Sequence, residues 1–350
     1  MSAKTVTATS AATTGIGGDA RATTSSIWAR FDHTVVPYIL ISPFFLLFLA
    51  FGIFPIVYSA LIALQTYRTE LATNRSGVTT SVNTERWVGF ENFDRVLHDG
   101  EFWHALLNTF GIFVLATVPQ LFLALVLASL LNRRLHAQTF FRVAVLLPYV
   151  TPIVASSIVF VTFFSRDFGQ ANWVLGLFNV HDTIGAEGST TLIDGIDWRG
   201  SSWSSWLAIS IMVNWKWTAY NGLLYLAAMQ AIPKDVYEAA ALDGASPWRQ
   251  LWAITVPMIR PMVIFTVVLA TIGGLQLFAE PVQLDEPPNR GFGGNNNEWR
   301  TVAQYIWYRG WGSGQDFGWA GALSWVLFVV VVLLAALNAF VTNKLGGGKR

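Results

Sequence analysis

The sequence predicts an all-α membrane protein with six transmembrane helices, and three observations carry that reading. Of its 350 residues 53% are hydrophobic and only 12% charged, about half the charged share of an ordinary soluble domain. Six apolar runs reach or approach the ~20 residues that a helix needs to cross a bilayer. They are Val35 to Leu64, Ala105 to Leu131, Val143 to Phe164, Trp206 to Gln230, Pro261 to Phe278 and Ala320 to Val341. The aromatic load is heavy, with Trp 16 and Phe 25, and Trp gathers at membrane–water interfaces.

Residues 1–33 precede these runs and are rich in Ser, Thr, Ala and Gly without apolar periodicity. Such a segment buries too little surface to fold and reads as a disordered tail. It is not a signal peptide, because no short apolar region with a cleavage site follows a basic start. The first run carries Pro37, Pro43 and Pro55 and reads as a retained, kinked span. The third holds Pro148 and Pro152, and the fifth, the shortest, can extend to Leu284. The spans define a domain over 34–343, with a second tail at 344–350.

Lys and Arg set the orientation. Arg133, Arg134 and Arg142 follow the second run, Lys234, Arg249 and Arg260 follow the fourth, and Lys344, Lys349 and Arg350 follow the sixth. With these sides cytoplasmic, both termini are inside, which requires an even number of spans. The opposite connections, about 65–104, 165–205 and 285–319, are longer and mixed in charge. Gly291 to Asn297 (GFGGNNN) reads as a turn or mobile loop within the last of them.

Several chemistries are excluded. There is no Cys, hence no disulfide, thiolate metal site or cysteine nucleophile. A net charge of +1 offers no basic field for nucleic acid. No phosphate-binding Gly-x4-Gly-Lys-Ser/Thr loop occurs, so the chain does not bind ATP by that route. The 5 His residues are scattered without metal-ligand spacing. A membrane-embedded enzyme would need paired acids or a metal motif, and Asp285-Glu286 at the outer end of the fifth run is a poor substitute.

One intramembrane feature stands out. Lys216 lies ten residues into the fourth run, roughly 15 Å deep at a helical rise of about 1.5 Å per residue. A charge there is expensive and faces a polar cavity or a partner. Lys216 and Tyr220 are four apart, and Trp217 and Tyr220 three apart, so each pair can share a helix face. Aromatic rings beside hydrogen-bonding groups suit a sugar, with its apolar faces and hydroxyl rims. The other reading pairs Lys216 with a carboxylate or backbone carbonyl as packing glue.

The fourth connector reads AIPKDVYEAAALDGASPWRQLWAITVPMIRP from Ala231 to Pro261. Pro233 stands where a helix can begin, Tyr237 to Leu242 are mostly good helix formers, and Asp243-Gly244 ends the helix with a left-handed turn. A second helical stretch starts at Pro247. The string Glu238-Ala239-Ala240, then Asp243-Gly244-Ala245, then Pro257, resembles the EAA loop of binding-protein-dependent ATP-binding-cassette (ABC) importers. Phe141-Arg142 with Leu147-Pro148-Tyr149, Ile232-Pro233, and Asp316-Phe317-Gly318 are similar to the carbohydrate-importer group. The similarity covers about 36–343, and the nearest type is the maltose-transporter-like larger permease without its large periplasmic insertion.

That resemblance implies the type I importer permease fold, with residues 232–260 as the cytoplasmic coupling loop. Glu238, Ala239, Ala240, Asp243 and Gly244 would engage the ATPase. It also implies the partners: a second homologous permease, two ATPase subunits that bind ATP and Mg, an extracytoplasmic sugar-binding protein, and membrane lipid. No cofactor is implied for this chain itself. Carried over by position, the midmembrane sugar path would use Tyr149, Lys216, Trp217, Tyr220, Gly273 and Gln276, with Val213 and Ile272 beside them. The family places a Gly where Trp217 stands, which implies a different sugar. The same architecture could import a glycerol phosphoester, although a phosphate favours several convergent cations. A secondary transporter working without ATP would leave the EAA-like loop without a role.

Overall fold

The structure, a computed structural model, describes residues 36–73, 79–133, 136–178, 195–285, 292–294, 296–312 and 315–346. The predicted tail 1–33, Arg134, Gly291, Asn295 and residues 347–350 lie outside the described residues. Contacts divide the chain into two units, Met1–Ser59 and Ala60–Arg350.

The first unit holds most of helix α1 (Val36–Ala63), an apolar helix with no buried residue in its most apolar window. Its middle widens into a π turn at Leu49–Ile53, where the Phe54 N–H bonds back to Leu49 O. Pro55 follows, and with no N–H it cannot continue the ladder. The second unit repeats the device. The π turn Leu251–Thr255 closes with Val256 N–H on Leu251 O, immediately before Pro257.

In the second unit, β1 (Gln65–Thr73) and β2 (Thr79–Trp87) pair antiparallel, Gln65 opposite Trp87 and Thr73 opposite Thr79. This hairpin corrects the wholly helical expectation: the start of the connection after the first apolar run is a sheet, with β-branched Thr and Val in its strands. Then come α2 (Glu91–Leu97), α3 (Gly100–Leu131), α4 (Gln138–Val150), α5 (Ile153–Phe163) and α6 (Gln170–Gly176). After residues 195–201 follow α7 (Ser202–Gln230), α8 (Lys234–Leu242), α9 (Pro247–Met258) and α10 (Arg260–Leu275). Short α11 (Ala279–Leu284), α12 (Val302–Trp311) and α13 (Phe317–Gly346) complete the order.

Among the described residues, α1, α3 and α13 are long and apolar enough to cross a membrane. Two bent pairs raise the number to five if each is one span: α4 with α5, bent by 88°, and α9 with α10, bent by 75°. Helix α7 has 29 residues, but its Ser, Asn and Lys216 dilute its apolar character.

Helix α7 packs along α3, where Ala124 and Ala128 lie against Tyr225, Leu226 and Met229. Small residues bring the two backbones close, as in membrane helix pairs generally. A Cβ on Gly111 would run into the Trp206 ring, so only glycine fits there. Polar ties between helices include Tyr225–Thr266 at 2.7 Å and Asn338–Thr271 at 2.8 Å. Helix ends are capped locally: Asp99 accepts from Glu101 N–H, Ser201 from Ser204 N–H, and Thr301 with Gln304 forms a reciprocal capping box.

Candidate functional site

The break at Thr151–Pro152 and the break after Leu275 lie near each other across α3 and α7, and the space between them is a cavity of about 660 Å³. Five of the six residues expected on a substrate path line it: Tyr149, Trp217, Tyr220, Gly273 and Gln276. Val213 and Ile272 line it as well. The Tyr149 and Tyr220 rings stack at 4.9 Å, and Trp217 meets them edge-on at 5.7 and 6.0 Å. Trp217 and Tyr220 share a face because they are three apart on α7. A Cβ on Gly273 would meet open space, whereas one on Gly274 would stand 2.6 Å from Phe113.

Lys216 does not line the cavity. Its Nζ donates to Thr151 O at 2.8 Å and to Tyr149 O at 3.5 Å. Those carbonyls lie at the C-terminal end of α4, where Pro152 stops the helix and its last acceptors lack intrahelical partners. A cation there also meets the negative end of the helix dipole.

The cavity holds polar residues that the sequence reading did not place on the path. Gln120 on α3 and Asn221 on α7 are 4% and 6% exposed, and Glu280 at the start of α11 is 5% exposed; all three line it. The signal was available, because each interrupts an apolar run or its extension, and polar groups at such depth face the bundle interior. Together the lining offers aromatic faces, three amide side chains (Gln120, Asn221 and Gln276) and one carboxyl, a surface that can stack a ring and hydrogen-bond its rim.

The EAA-like stretch forms a separate surface. Glu238, Ala239, Asp243 and Gly244 are exposed, Ala240 is buried, and Leu242 is 90% exposed. Helix α8 ends in a Schellman turn: Ala245 N–H bonds to Ala240 O, Gly244 N–H to Ala241 O, and Gly244 takes φ +75°. Ser246 then caps α9 with Pro247 in its first turn. Behind the turn, Tyr237 Oη and Thr255 Oγ1 lie 2.9 Å apart. The exposed face is thus held as a rigid helix–turn–helix.

Elsewhere in the second unit, residues 292–294 and 296–301 are bound to the cavity wall. Thr301 Oγ1 donates to Leu277 O at 2.8 Å and Trp299 Nε1 to Pro281 O at 3.3 Å. Asp285 accepts from the N–H groups of Gly293 and Gly294, both at positive φ. The Arg300 guanidinium lies 3.3 Å from Glu101, and burial lowers its pKa from the ordinary arginine value. Burial also raises the Tyr305 phenol, which donates to Asp99. Arg309 covers Tyr305 and Trp319, and Arg95 covers Trp319 while reaching Asp316 at 3.4 Å. Asp316 in turn accepts from Trp319 N–H, and Gly318 lets Gln65 O come to where a Cβ would otherwise stand. Among the described residues no cluster of three or more His, Cys, Asp or Glu could hold a metal.

Comparison with known proteins gives these surfaces a context. Residues 120–343 match the family described as binding-protein-dependent transport system inner membrane component. The lactose transport system permease protein of Rhizobium radiobacter is 31% identical over 92% of this chain and 99% of its own length. An arabinooligosaccharides transport system permease protein of Halalkalibacterium halodurans is 29% identical over 91% of this chain and 90% of its own. In fold, the chain is similar to a subunit of a bacterial ABC transporter involved in import of the acidic polysaccharide alginate. That match has a TM-score of 0.70 at 21% identity and covers 91% of this chain and 99% of the other. The chain is a multi-pass membrane protein and belongs to the binding-protein-dependent transport system inner membrane components.

Proposed function

We propose that the chain is a permease subunit of an ATP-binding-cassette importer and translocates a sugar of di- or oligosaccharide size. Its six spans are α1, α3, the broken pair α4–α5, α7, α10 with α11, and α13. Helix α9 turns away from the fifth span at the cytoplasmic surface, and both termini are cytoplasmic. A second homologous permease completes the pathway, two ATPase subunits supply the energy, and an extracytoplasmic binding protein delivers the sugar. Glu238, Ala239, Ala240, Asp243 and Gly244 form the surface that engages an ATPase, so ATP and Mg are bound by those partners. The sugar path runs past Tyr149, Trp217, Tyr220, Gly273 and Gln276, with Lys216 standing behind Tyr149.

One observation carries this reading: a cavity of about 660 Å³ walled by stacked aromatic rings and amides, in a chain whose relatives bear the names of saccharide permeases. Aromatic faces with a few placed hydrogen-bonding groups are what a pocket for a ring with hydroxyl rims requires. The test is uptake of labelled lactose and arabinobiose into proteoliposomes holding the whole importer and its binding protein. Trp217→Ala should raise the half-saturating sugar concentration or lower the maximal flux by about tenfold, the equivalent of ~1.4 kcal/mol. Unchanged uptake at normal assembly would mean that sugar does not pass this face.

A further inference from the structure

Glu280 is a lining residue to which the proposed sugar path assigns no role. It is 5% exposed, it borders the cavity with Leu277 and Phe278, and its carboxyl takes a hydrogen bond from its own backbone N–H at the start of α11. Tyr149 and Tyr220 are the other titratable groups on the lining, and both are phenols. Lys216 is close enough to interact electrostatically with the carboxylate, but its ammonium is turned onto the carbonyls of Tyr149 and Thr151. The formal charge that the cavity presents to its contents is therefore negative.

A buried carboxylate acts strongly on neighbouring charge because little water screens it. A neutral hydroxyl donates to a carboxylate, and an ammonium gains more from it. A second carboxylate is repelled and loses its hydration as well. We propose that Glu280 is a charge filter: the cavity admits neutral and amino-bearing saccharides and rejects uronic ones. The inference rests on the cavity being the sugar path. It separates this chain from the alginate importer whose fold it shares, since that transporter imports an acidic polysaccharide.

The experiment uses the complete importer in nanodiscs at neutral pH, without the binding protein, whose own selectivity would mask the filter. Equilibrium binding is measured for lactose and arabinobiose (neutral), deacetylated chitobiose (cationic) and digalacturonate (anionic). The wild type should bind digalacturonate at least about tenfold more weakly than the better neutral sugar, the effect of one like charge in a partly wet site. Glu280→Gln should bring the two within about threefold and weaken chitobiose, whereas Glu280→Asp should keep the wild-type order. A carboxylate that serves only to hold the start of α11 would alter all saccharides together and leave their ratios fixed. A wild type that binds digalacturonate as well as the neutral sugars, or ratios unchanged in Glu280→Gln, overturns the filter. In either case neutral-sugar binding that is lost in Trp217→Ala leaves the sugar path standing. Binding of no saccharide, or binding indifferent to Trp217→Ala, removes the path and the filter together.

Discussion

The ammonium of Lys216 is held where α4 stops, on the carbonyls of Tyr149 and Thr151. Hydrogen bonds from a charged donor are worth roughly 1.5–3 kcal/mol when desolvated. Lys216→Met should therefore lower the thermal stability of the assembled complex by about that amount and loosen Tyr149 against Tyr220, with Lys216→Arg milder. Melting curves beside uptake separate this from a direct sugar contact, which would lower uptake at an unchanged melting point. Gly244 makes the opposite case. Its φ is +75° and nothing stands within 4 Å of where a Cβ would be, so Gly244→Val meets strain without a clash. The backbone penalty is roughly 1–2 kcal/mol; insertion should be normal and sugar-stimulated ATP hydrolysis should fall. The left-handed turn was legible from Asp243-Gly244, and Trp217 with Tyr220 from their spacing. The direction of Lys216 was not, because a deep charge announces that it has a partner without saying whether that is a ligand or a carbonyl.

Among the elements, the pairing of α3 with α7 depends on Gly111 under Trp206. Gly111→Val should overpack this contact and cost about 1–3 kcal/mol, read as a lower melting temperature and less folded protein in the membrane. A compensating Trp206→Leu should restore part of it. Helices α8 and α9 were legible because Pro233, Gly244 and Pro247 mark their ends by local chemistry. The bends were not: Pro148 and Pro152 announced a kink, but an 88° turn is fixed by what α4 and α5 pack against. The β1–β2 hairpin was missed although its Thr-rich run flanks Asn74-Arg75-Ser76-Gly77, a turn signal. Polar threonines beside a strongly apolar span read as a loop when run length is the criterion. Gln120 was passed over for the same reason, since a run-length test tolerates an isolated amide.

For the whole molecule, the distribution of Lys and Arg makes a topological prediction. Reporters fused after residue 245 and at the C-terminus should both read as cytoplasmic, and one placed near residue 200 should read as external. An external signal at 245 would invert the proposed orientation and remove the ATPase from the EAA-like surface. The contact between Lys216 and the end of α4 also bears on how the chain is made. Ribosomes deliver α4 and α5 before α7, so on the proposed topology the broken pair enters the bilayer with bare carbonyls at Tyr149 and Thr151. Helix α7 then arrives with a lysine that adds about 2.5–3.5 kcal/mol to its insertion at mid-depth. Each segment is a poor passenger alone and relieves the other on meeting it. On the proposed topology, with α4–α5 and α7 as the third and fourth spans, the two should leave the translocation channel as a couple, and a chain halted between residues 165 and 200 should remain an unfinished client of the insertion machinery.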